Sequence, residues 1–296
     1  MTMPLETHQG SLSSPSLRYL RQVSPNGPAS AKSPAIQVME LTRRFDTLVA
    51  VDHLTFSTDV ATVFGLLGPN GAGKSTLIKM LTTLLAPTSG TARVAGFDIV
   101  RQPREVRRCI GYVSQLLSAD GELTGYENLL ISSKLYGIPH KERTGRIEEA
   151  LDFMDLASAA RRRVKQYSGG MIRRLEIAQS MLHRPAVLFL DEPTVGLDPV
   201  AKRSVWERIR DLRQTYGTAI LMTTHDMEEA DELCHVAGFL HHGRIEALGS
   251  PEVLKNTVGA NATLGDVFIH YTGASIAEGG DLRDVQRTRR LARRLE

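Results

Sequence analysis

A glycine-rich stretch, GPNGAGKST at residues 68–76, constrains the fold of this chain more than any other feature. It follows a short apolar run, TVFGLL at 62–67, which is typical of a buried strand. It precedes apolar residues that repeat with the period of one helical face, namely Leu77, Ile78, Leu81, Leu84 and Leu85. A G-x-x-x-x-G-K-[ST] pattern between a strand and a helix is the sequence of a phosphate-binding loop.

The residue types in this loop suit the binding of nucleotide phosphates. The glycines let the backbone turn its N–H groups toward phosphate oxygens, and the following helix adds its positive end. Lys74 is predicted to reach the β- and γ-phosphates, and Ser75 to ligate Mg²⁺. The predicted nucleotide-binding residues of this stretch are Gly68, Pro69, Asn70, Gly71, Ala72, Gly73, Lys74, Ser75 and Thr76.

Two adjacent acids end a second apolar run, AVLFLDEP at 186–193. Asp191 at the end of this predicted strand is placed to face Mg²⁺. Glu192 follows it and is predicted to polarise a water molecule as a general base. Adjacent acids at the end of a strand are often only a helix cap, but the phosphate loop favours the catalytic interpretation.

Further apolar runs indicate an α/β fold with a mainly parallel sheet. AIQVMEL at 35–41 and TAILMTTH at 218–225 are predicted strands, and residues from about 116 to 167 are predicted to be helical. Strands that alternate with helices are typical of a parallel sheet with crossover connections.

The two ends of the chain differ from this pattern. Residues 1–34 are rich in serine and proline, without a sustained apolar period, and are predicted to be a disordered tail. Residues 273–296 are basic, with six arginines in the last sixteen residues, and are predicted to form a helical tail.

Bulk composition limits the partners of the chain. Its 36 lysines and arginines against 33 acidic residues give a net charge of +3, too mild for nucleic acid binding. Two cysteines, Cys109 and Cys234, without a C-x-x-C pair fit a reducing compartment. No uncharged apolar run approaches the roughly 20 residues that span a bilayer. We therefore expect any function of this chain at a membrane to require a partner protein.

Five further motifs carry a family resemblance. They are YSGGM at 167–171, Gln115 in GYVSQ, GLDP at 196–199, His225 in TTHD, and Phe45 in LTRRFD. Together with the phosphate loop and Asp191–Glu192, they resemble the nucleotide-binding subunit of an ATP-binding cassette (ABC) transporter over residues 36–272. Tyr167 and Met171 stand where the family commonly has Leu and Gln, but the Ser-Gly-Gly core is intact.

The resemblance implies a role for each motif. Phe45 would stack on the adenine of ATP, Gln115 would sense Mg²⁺ and the attacking water, and His225 would hold the γ-phosphate. Ser168, Gly169 and Gly170 would contact the γ-phosphate of the ATP bound to an opposite subunit, and Asp198 would be the acid of the family's D-loop. These roles imply a homodimer, or a heterodimer with a paralogue.

The resemblance also implies an architecture and a location. An ABC ATPase domain over 35–272 would join a P-loop core, an antiparallel N-terminal β subdomain and the helical insert at about 116–167. It would act through a separate permease, at the cytoplasmic face of the membrane. SGGM-x-R-R-L, EEADELC (228–234) and TLGDVFIHYTG (263–273) resemble the daunorubicin-resistance-type exporter branch.

Two other functions stay open at this point. A soluble ABC ATPase is one, but translation-type members usually carry two cassettes, and only one is present. Repair-type members insert a long coiled coil, for which the spacing of 94 residues from Lys74 to Ser168 leaves no room. The other, a non-hydrolysing nucleotide-binding regulator, is disfavoured by Glu192.

Overall fold

The structure, a computed structural model, describes residues 33–273. Nearly all of the predicted N-terminal tail (1–34) and the predicted basic C-terminal helix (273–296) lie outside the described residues. Within residues 33–273 the strands are β1 (Ile36–Phe45), β2 (Leu48–Thr58), β3 (Val63–Leu67), β4 (Ser89–Val94), β5 (Phe97–Asp98), β6 (Ile110–Val113), β7 (Val187–Asp191), β8 (Ala219–Thr224), β9 (Val236–His241) and β10 (Arg244–Gly249). The α-helices of this range are α1 (Lys74–Leu81), α2 (Pro103–Cys109), α3 (Gly125–Leu135), α4 (His140–Phe153), α5 (Gly169–Met181), α6 (Pro199–Tyr216), α7 (Met227–Leu233), α8 (Pro251–Val258) and α9 (Leu264–Thr272).

These strands form two sheets. The N-terminal sheet has the order β2-β1-β4-β5 and is antiparallel. The larger sheet has the order β10-β9-β3-β8-β7-β6, in which only the β9–β10 hairpin is antiparallel. The predicted mainly parallel α/β core is therefore confirmed, and so are the four predicted strands that correspond to β1, β3, β7 and β8.

The central strands are apolar throughout because both faces of the large sheet are covered. Along β7, Val187 and Phe189 pack into a core shared with α1 and the N-terminal sheet. Leu188 and Leu190 face the opposite side and pack into a core shared with the helices α3 to α7 and α9. A strand buried on two faces has a continuous apolar sequence rather than an alternating one.

The first helix is shorter than its apolar pattern indicated. We expected Leu84 and Leu85 to continue the helical face, but α1 ends at Leu81. Thr83 adopts a φ of 63°, which a helix cannot continue, and the hydroxyl of Thr82 donates to the Ile78 carbonyl at 2.8 Å. Leu84 is consequently exposed rather than part of the buried face.

The segment from about 116 to 167 contains α3, α4 and two short 3₁₀ helices, Ala157–Ala159 and Val164–Gln166. Helix α3 begins at a capping box in which Thr124 and Glu127 bond each other's backbone N–H groups. Helices α3 and α4 pack against α5, which starts directly after the segment.

Candidate active site

Three neighbouring parallel strands end at the same edge of the large sheet, and each is followed by a predicted site residue. β8 lies between β3 and β7, with Leu67 paired to Thr224 and Asp191 paired to Thr223. The phosphate loop follows β3, Glu192 follows β7, and His225 follows β8. Ligands of open α/β sheets bind at such carboxyl ends, so the topology gathers these residues at one place.

The phosphate loop needs glycine where it enters α1. Gly73 adopts a φ of 110° and serves as the N-cap of the helix. A Cβ atom there would lie 2.3 Å from the carbonyl oxygen of Ala50, so a larger residue would both strain the backbone and collide. The loop therefore delivers the positive N-terminus of α1, beginning at Lys74, to the end of the sheet.

Lys74 is buried in the centre of this arrangement, with 5% of its surface exposed. Its ammonium group donates to the carbonyl oxygens of Gly68 at 2.7 Å and Pro69 at 3.1 Å. It also lies 3.4 Å from Oε1 of Glu192. Burial lowers the pKa of Lys74, while the nearby Glu192 and Asp191 carboxylates oppose that shift.

Glu192 is a buried carboxylate with partners from three different segments. Its Oε1 lies 3.4 Å from Nδ1 of His225, as well as 3.4 Å from Lys74. Nε2 of Gln115 donates to its Oε2 at 3.3 Å. Burial alone would raise the pKa of Glu192, but the hydrogen bond from His225 and the Lys74 charge outweigh it and lower that pKa.

The backbone of Glu192 is held in an unusual conformation. Its φ of 49° lies in the left-handed region, which costs a non-glycine residue on the order of 1–3 kcal/mol. The Glu192 N–H donates to both the carbonyl oxygen and the hydroxyl of Thr223, at 3.1 and 3.0 Å. Two hydrogen bonds to Thr223 thus hold the backbone from which the Glu192 carboxylate projects.

His225 lies at the solvent side of Glu192, with about 44% of its side chain exposed. The hydrogen bond to Glu192 raises the pKa of His225 above its usual 6.5, against a smaller opposing effect of burial. Asp226, the next residue, caps α7 and forms an ion pair with Lys202 at 2.7 Å. The histidine therefore sits between the end of β8 and a fixed helix start.

Two of the three residues predicted to ligate Mg²⁺ also contact each other. The hydroxyl of Ser75 donates to Oδ1 of Asp191 at 3.2 Å, and the hydroxyl of Thr223 donates to the same oxygen at 2.6 Å. A hydroxyl, a carboxylate and the amide of Gln115 are the hard oxygen donors that Mg²⁺ prefers, so this donor set fits the ion.

Direct contacts link six of the predicted residues in two adjoining sets: Lys74, Gln115 and His225 contact Glu192, and Ser75 contacts Asp191. Phe45 lies at the end of β1, 41% exposed, with the guanidinium of Arg43 over one face of its ring. Ser168 and Asp198 instead cap α5 and α6, respectively. Within residues 33–273, no hydrogen bond or ion pair connects these three residues to the group of six.

Two buried polar residues in or beside the site, Thr223 and Glu229, were not predicted from the sequence. Thr223 holds both Asp191 and the Glu192 backbone, as described above. Glu229, 1% exposed on α7, accepts hydrogen bonds from the Thr194 hydroxyl at 2.7 Å and the Trp206 indole at 2.9 Å. Burial raises the pKa of Glu229 against the effect of these bonds. A polar residue inside an apolar strand or helix face was the available signal.

A search of residues 33–273 finds no helix with the length and apolarity needed to cross a membrane.

Comparisons with known proteins agree with the geometry of the site. The family model described as ABC transporter matches residues 51–195. The daunorubicin/doxorubicin resistance ATP-binding protein DrrA of Streptomyces peucetius is 44% identical over 227 residues, which cover 77% of this chain and 68% of that protein. The Nod factor export ATP-binding protein I of Burkholderia thailandensis is 41% identical, covering 74% and 72%.

Solved structures give the same result. The ATP-binding subunit of an ABC transporter superposes with a TM-score of 0.71 at 28% identity, over 80% of this chain and 99% of that one. The phosphate loop, the acids at the end of β7 and the overall fold are thus accompanied by extended similarity in sequence and structure. The chain belongs to the ABC transporter family, of which it is an ATP-binding, ATP-hydrolysing subunit.

Proposed function

We propose that this chain is the ATP-hydrolysing motor of an exporter and drives a drug-like or lipid-like substrate through a separate permease. Its relatives named for daunorubicin and doxorubicin resistance and for Nod factor export support this substrate class. The substrate pocket itself would belong to the permease.

The observation that carries the hydrolytic role is the set of contacts around Glu192. We assign Glu192 as the general base that accepts a proton from the attacking water. Its lowered pKa keeps it ionised at neutral pH, ready to accept that proton. Gln115 and His225, which contact its two oxygens, would position the water and hold the γ-phosphate.

The phosphates of ATP would bind along the loop from Gly68 to Thr76. Backbone N–H groups and the N-terminus of α1 supply positive potential there, and Lys74 supplies a full charge. Phe45 would stack on the adenine with the ring face that Arg43 does not cover.

Ser75, Asp191 and Gln115 are the residues that would hold Mg²⁺. The contact of Ser75 with Asp191 supports this assignment, since it places two hard oxygen ligands side by side. When bound, the ion neutralises charge on the β- and γ-phosphates.

A second copy of the chain, or a paralogue, would complete each ATP site. Ser168, the N-cap of α5, and Gly169, the first residue of that helix, are both exposed. A free helix start with a hydroxyl is suited to an anion such as the γ-phosphate of the opposite subunit. We also assign to this contact Asp198, which is exposed, and Gly170, which follows Gly169 and is itself buried.

We propose that the permease docks on the helical part of the ATPase domain (35–272), at the cytoplasmic face of the membrane. Leu116 and Leu117 after Gln115 and Leu135 at the end of α3 are 81%, 57% and 82% exposed. Their segments are both fastened to α5, through Ser118 and Ser132. Exposed large apolar side chains of this kind mark interaction surfaces.

The test combines the chain with the membrane protein encoded beside it. Inverted vesicles containing both proteins should accumulate a fluorescent anthracycline when Mg·ATP is added. Vesicles with the Glu192→Gln variant should not, because the base is lost. Equal anthracycline accumulation with the wild type and the variant would contradict the motor role of this chain. ATP hydrolysis that no adjacent membrane protein influences would favour a soluble ATPase.

A further inference from the structure

Helix α5 carries a buried ion pair that the roles assigned above do not use. Arg173 and Glu176 are each 3% exposed, and Nη1 of Arg173 lies 3.1 Å from Oε2 of Glu176. Removing two charges from water is costly, and a buried pair is often no more stable than apolar side chains of similar size. The other contacts of the pair are therefore informative about its role.

The guanidinium of Arg173 binds the carbonyl groups of two successive peptide groups, which flank the Cα of Gln115. Nη1 donates to the carbonyl oxygen of Ser114 at 2.7 Å, and Nη2 donates to that of Gln115 at 3.0 Å. The planar fork of an arginine fixes two acceptors at once, which a lysine ammonium on a flexible stem does not do. The main chain of Gln115 is thus fixed by a buried cation.

Glu176 holds the same loop three residues further along. Its Oε1 accepts hydrogen bonds from the backbone N–H of Ser118 and, at 3.2 Å, from the Ser118 hydroxyl. Between these two anchored points, Leu116 and Leu117 are exposed and Gln115 is largely exposed. The ion pair therefore supplies the buried attachment of an otherwise exposed loop.

Gln115 in turn touches the proposed base, since its Nε2 donates to Glu192 at 3.3 Å. A continuous chain of contacts runs from Glu176 through Arg173 and Gln115 to Glu192. The same helix is capped by Ser168, about one and a half turns before Arg173. A movement of α5 would consequently displace Gln115 relative to Glu192.

We propose that Arg173, oriented by Glu176, is a positioning residue that sets Gln115 against Glu192 and couples the Ser-Gly-Gly start of α5 to hydrolysis. This inference rests on the proposed function, because it takes Gln115 as part of the hydrolytic site.

The first test is Arg173→Lys, with Arg174→Lys as the matched control. Lysine keeps the charge beside Glu176 but cannot bond both carbonyls. Arg174 is the next residue on the helix and binds the Met154 carbonyl at 2.9 Å, away from the loop. Loss of a charge-assisted bond should lower kcat by about tenfold or more with KM for ATP within about twofold, and Arg174→Lys should leave both constants unchanged.

The second test asks whether Arg173 acts through Gln115. In a Gln115→Ala background, Arg173→Lys should change kcat by less than about twofold, since interacting residues are non-additive. If the kcat losses of Gln115→Ala and Arg173→Lys multiply in full in the double variant, the inference is overturned. It is also overturned if Arg174→Lys lowers kcat as much as Arg173→Lys does. Glu176→Gln removes the orienting charge but keeps an oxygen for Ser118, and it should lower kcat in the same way. A wild-type kcat in a folded Glu176→Gln variant would count against the ion pair.

The failures can be told apart. If Gln115→Ala alone leaves kcat at the wild-type value, the proposed role of Gln115 falls, and the inference falls with it. If Gln115→Ala lowers kcat while Arg173→Lys does not, only the positioning role is wrong. Thermal melting of every variant identifies any loss of rate that comes from unfolding.

Discussion

Thr223→Val removes one hydroxyl from the centre of the site and leaves a side chain of similar shape. That hydroxyl donates to Oδ1 of Asp191 at 2.6 Å and accepts from the Glu192 N–H at 3.0 Å. The Glu192 N–H keeps the Thr223 carbonyl at 3.1 Å, so only the bond to Asp191 is lost without replacement.

The expected cost follows from the charge on the acceptor. A hydrogen bond to a charged group contributes about 1.5–3 kcal/mol, and a Tm falls by roughly 2–4 °C per kcal/mol in a domain of this size. We therefore expect Thr223→Val to lower the Tm by about 3–12 °C. We also expect a lower kcat, because the Asp191 carboxylate loses a fixed neighbour.

The control is Thr82→Val, measured by the same thermal melting experiment. Thr82 is equally buried, but its hydroxyl donates to the neutral carbonyl of Ile78, a bond of about 0.5–1.5 kcal/mol. Both substitutions replace a hydroxyl with the same methyl group, so the difference between their Tm losses reports the effect of the charge on the Asp191 acceptor. A Tm loss in Thr223→Val no larger than that in Thr82→Val would refute a charge-assisted bond from Thr223 to Asp191.

Three other predictions concern the dimer, the histidine and the loop. Mixing inactive Lys74→Ala with inactive Ser168→Arg should restore some ATPase activity, because one composite site of the heterodimer is intact; no recovery would exclude a shared site. His225→Ala should lower the Tm more at pH 6 than at pH 9, because a histidine whose pKa is raised in the fold stabilises it at low pH and loses this effect as the pH rises through that pKa. Equal losses of Tm at the two pH values would contradict the ion pair with Glu192. Gly73→Ala should lower the Tm because its φ is 110° and a carbonyl oxygen lies 2.3 Å from the added Cβ, whereas an unchanged melting curve would show that the loop relaxes freely.

The parts of the fold that the sequence predicted are those with a local signal. The strands before Gly68 and Glu192 are apolar and short, and the glycine pattern between a strand and a helix has few alternatives. The prediction that α1 continues to Leu84 and Leu85 was wrong, because these residues keep the helical period beyond the point where the backbone of Thr83 leaves the helix.

The contacts of the site depend on distant parts of the chain and have no local signal. Gln115 and Glu192 are 77 residues apart in sequence, and their contact exists only because β6 and β7 are neighbours in the sheet. Nothing local in the sequence indicates that Arg173 is buried, because its burial is set by the loop that packs over α5. Charge patterns alone do not distinguish it from Arg174.

The central claim is that Glu192 is the base of an ATP-hydrolysing site. Its direct test is Glu192→Gln, with ATP binding and single-turnover hydrolysis measured on the same protein. The amide keeps the shape of the side chain but cannot accept the proton. We expect ATP affinity within about threefold of wild type, and a hydrolysis rate lower by about 10²–10⁴, the usual contribution of a general base. Hydrolysis by Glu192→Gln at the wild-type rate would contradict the claim.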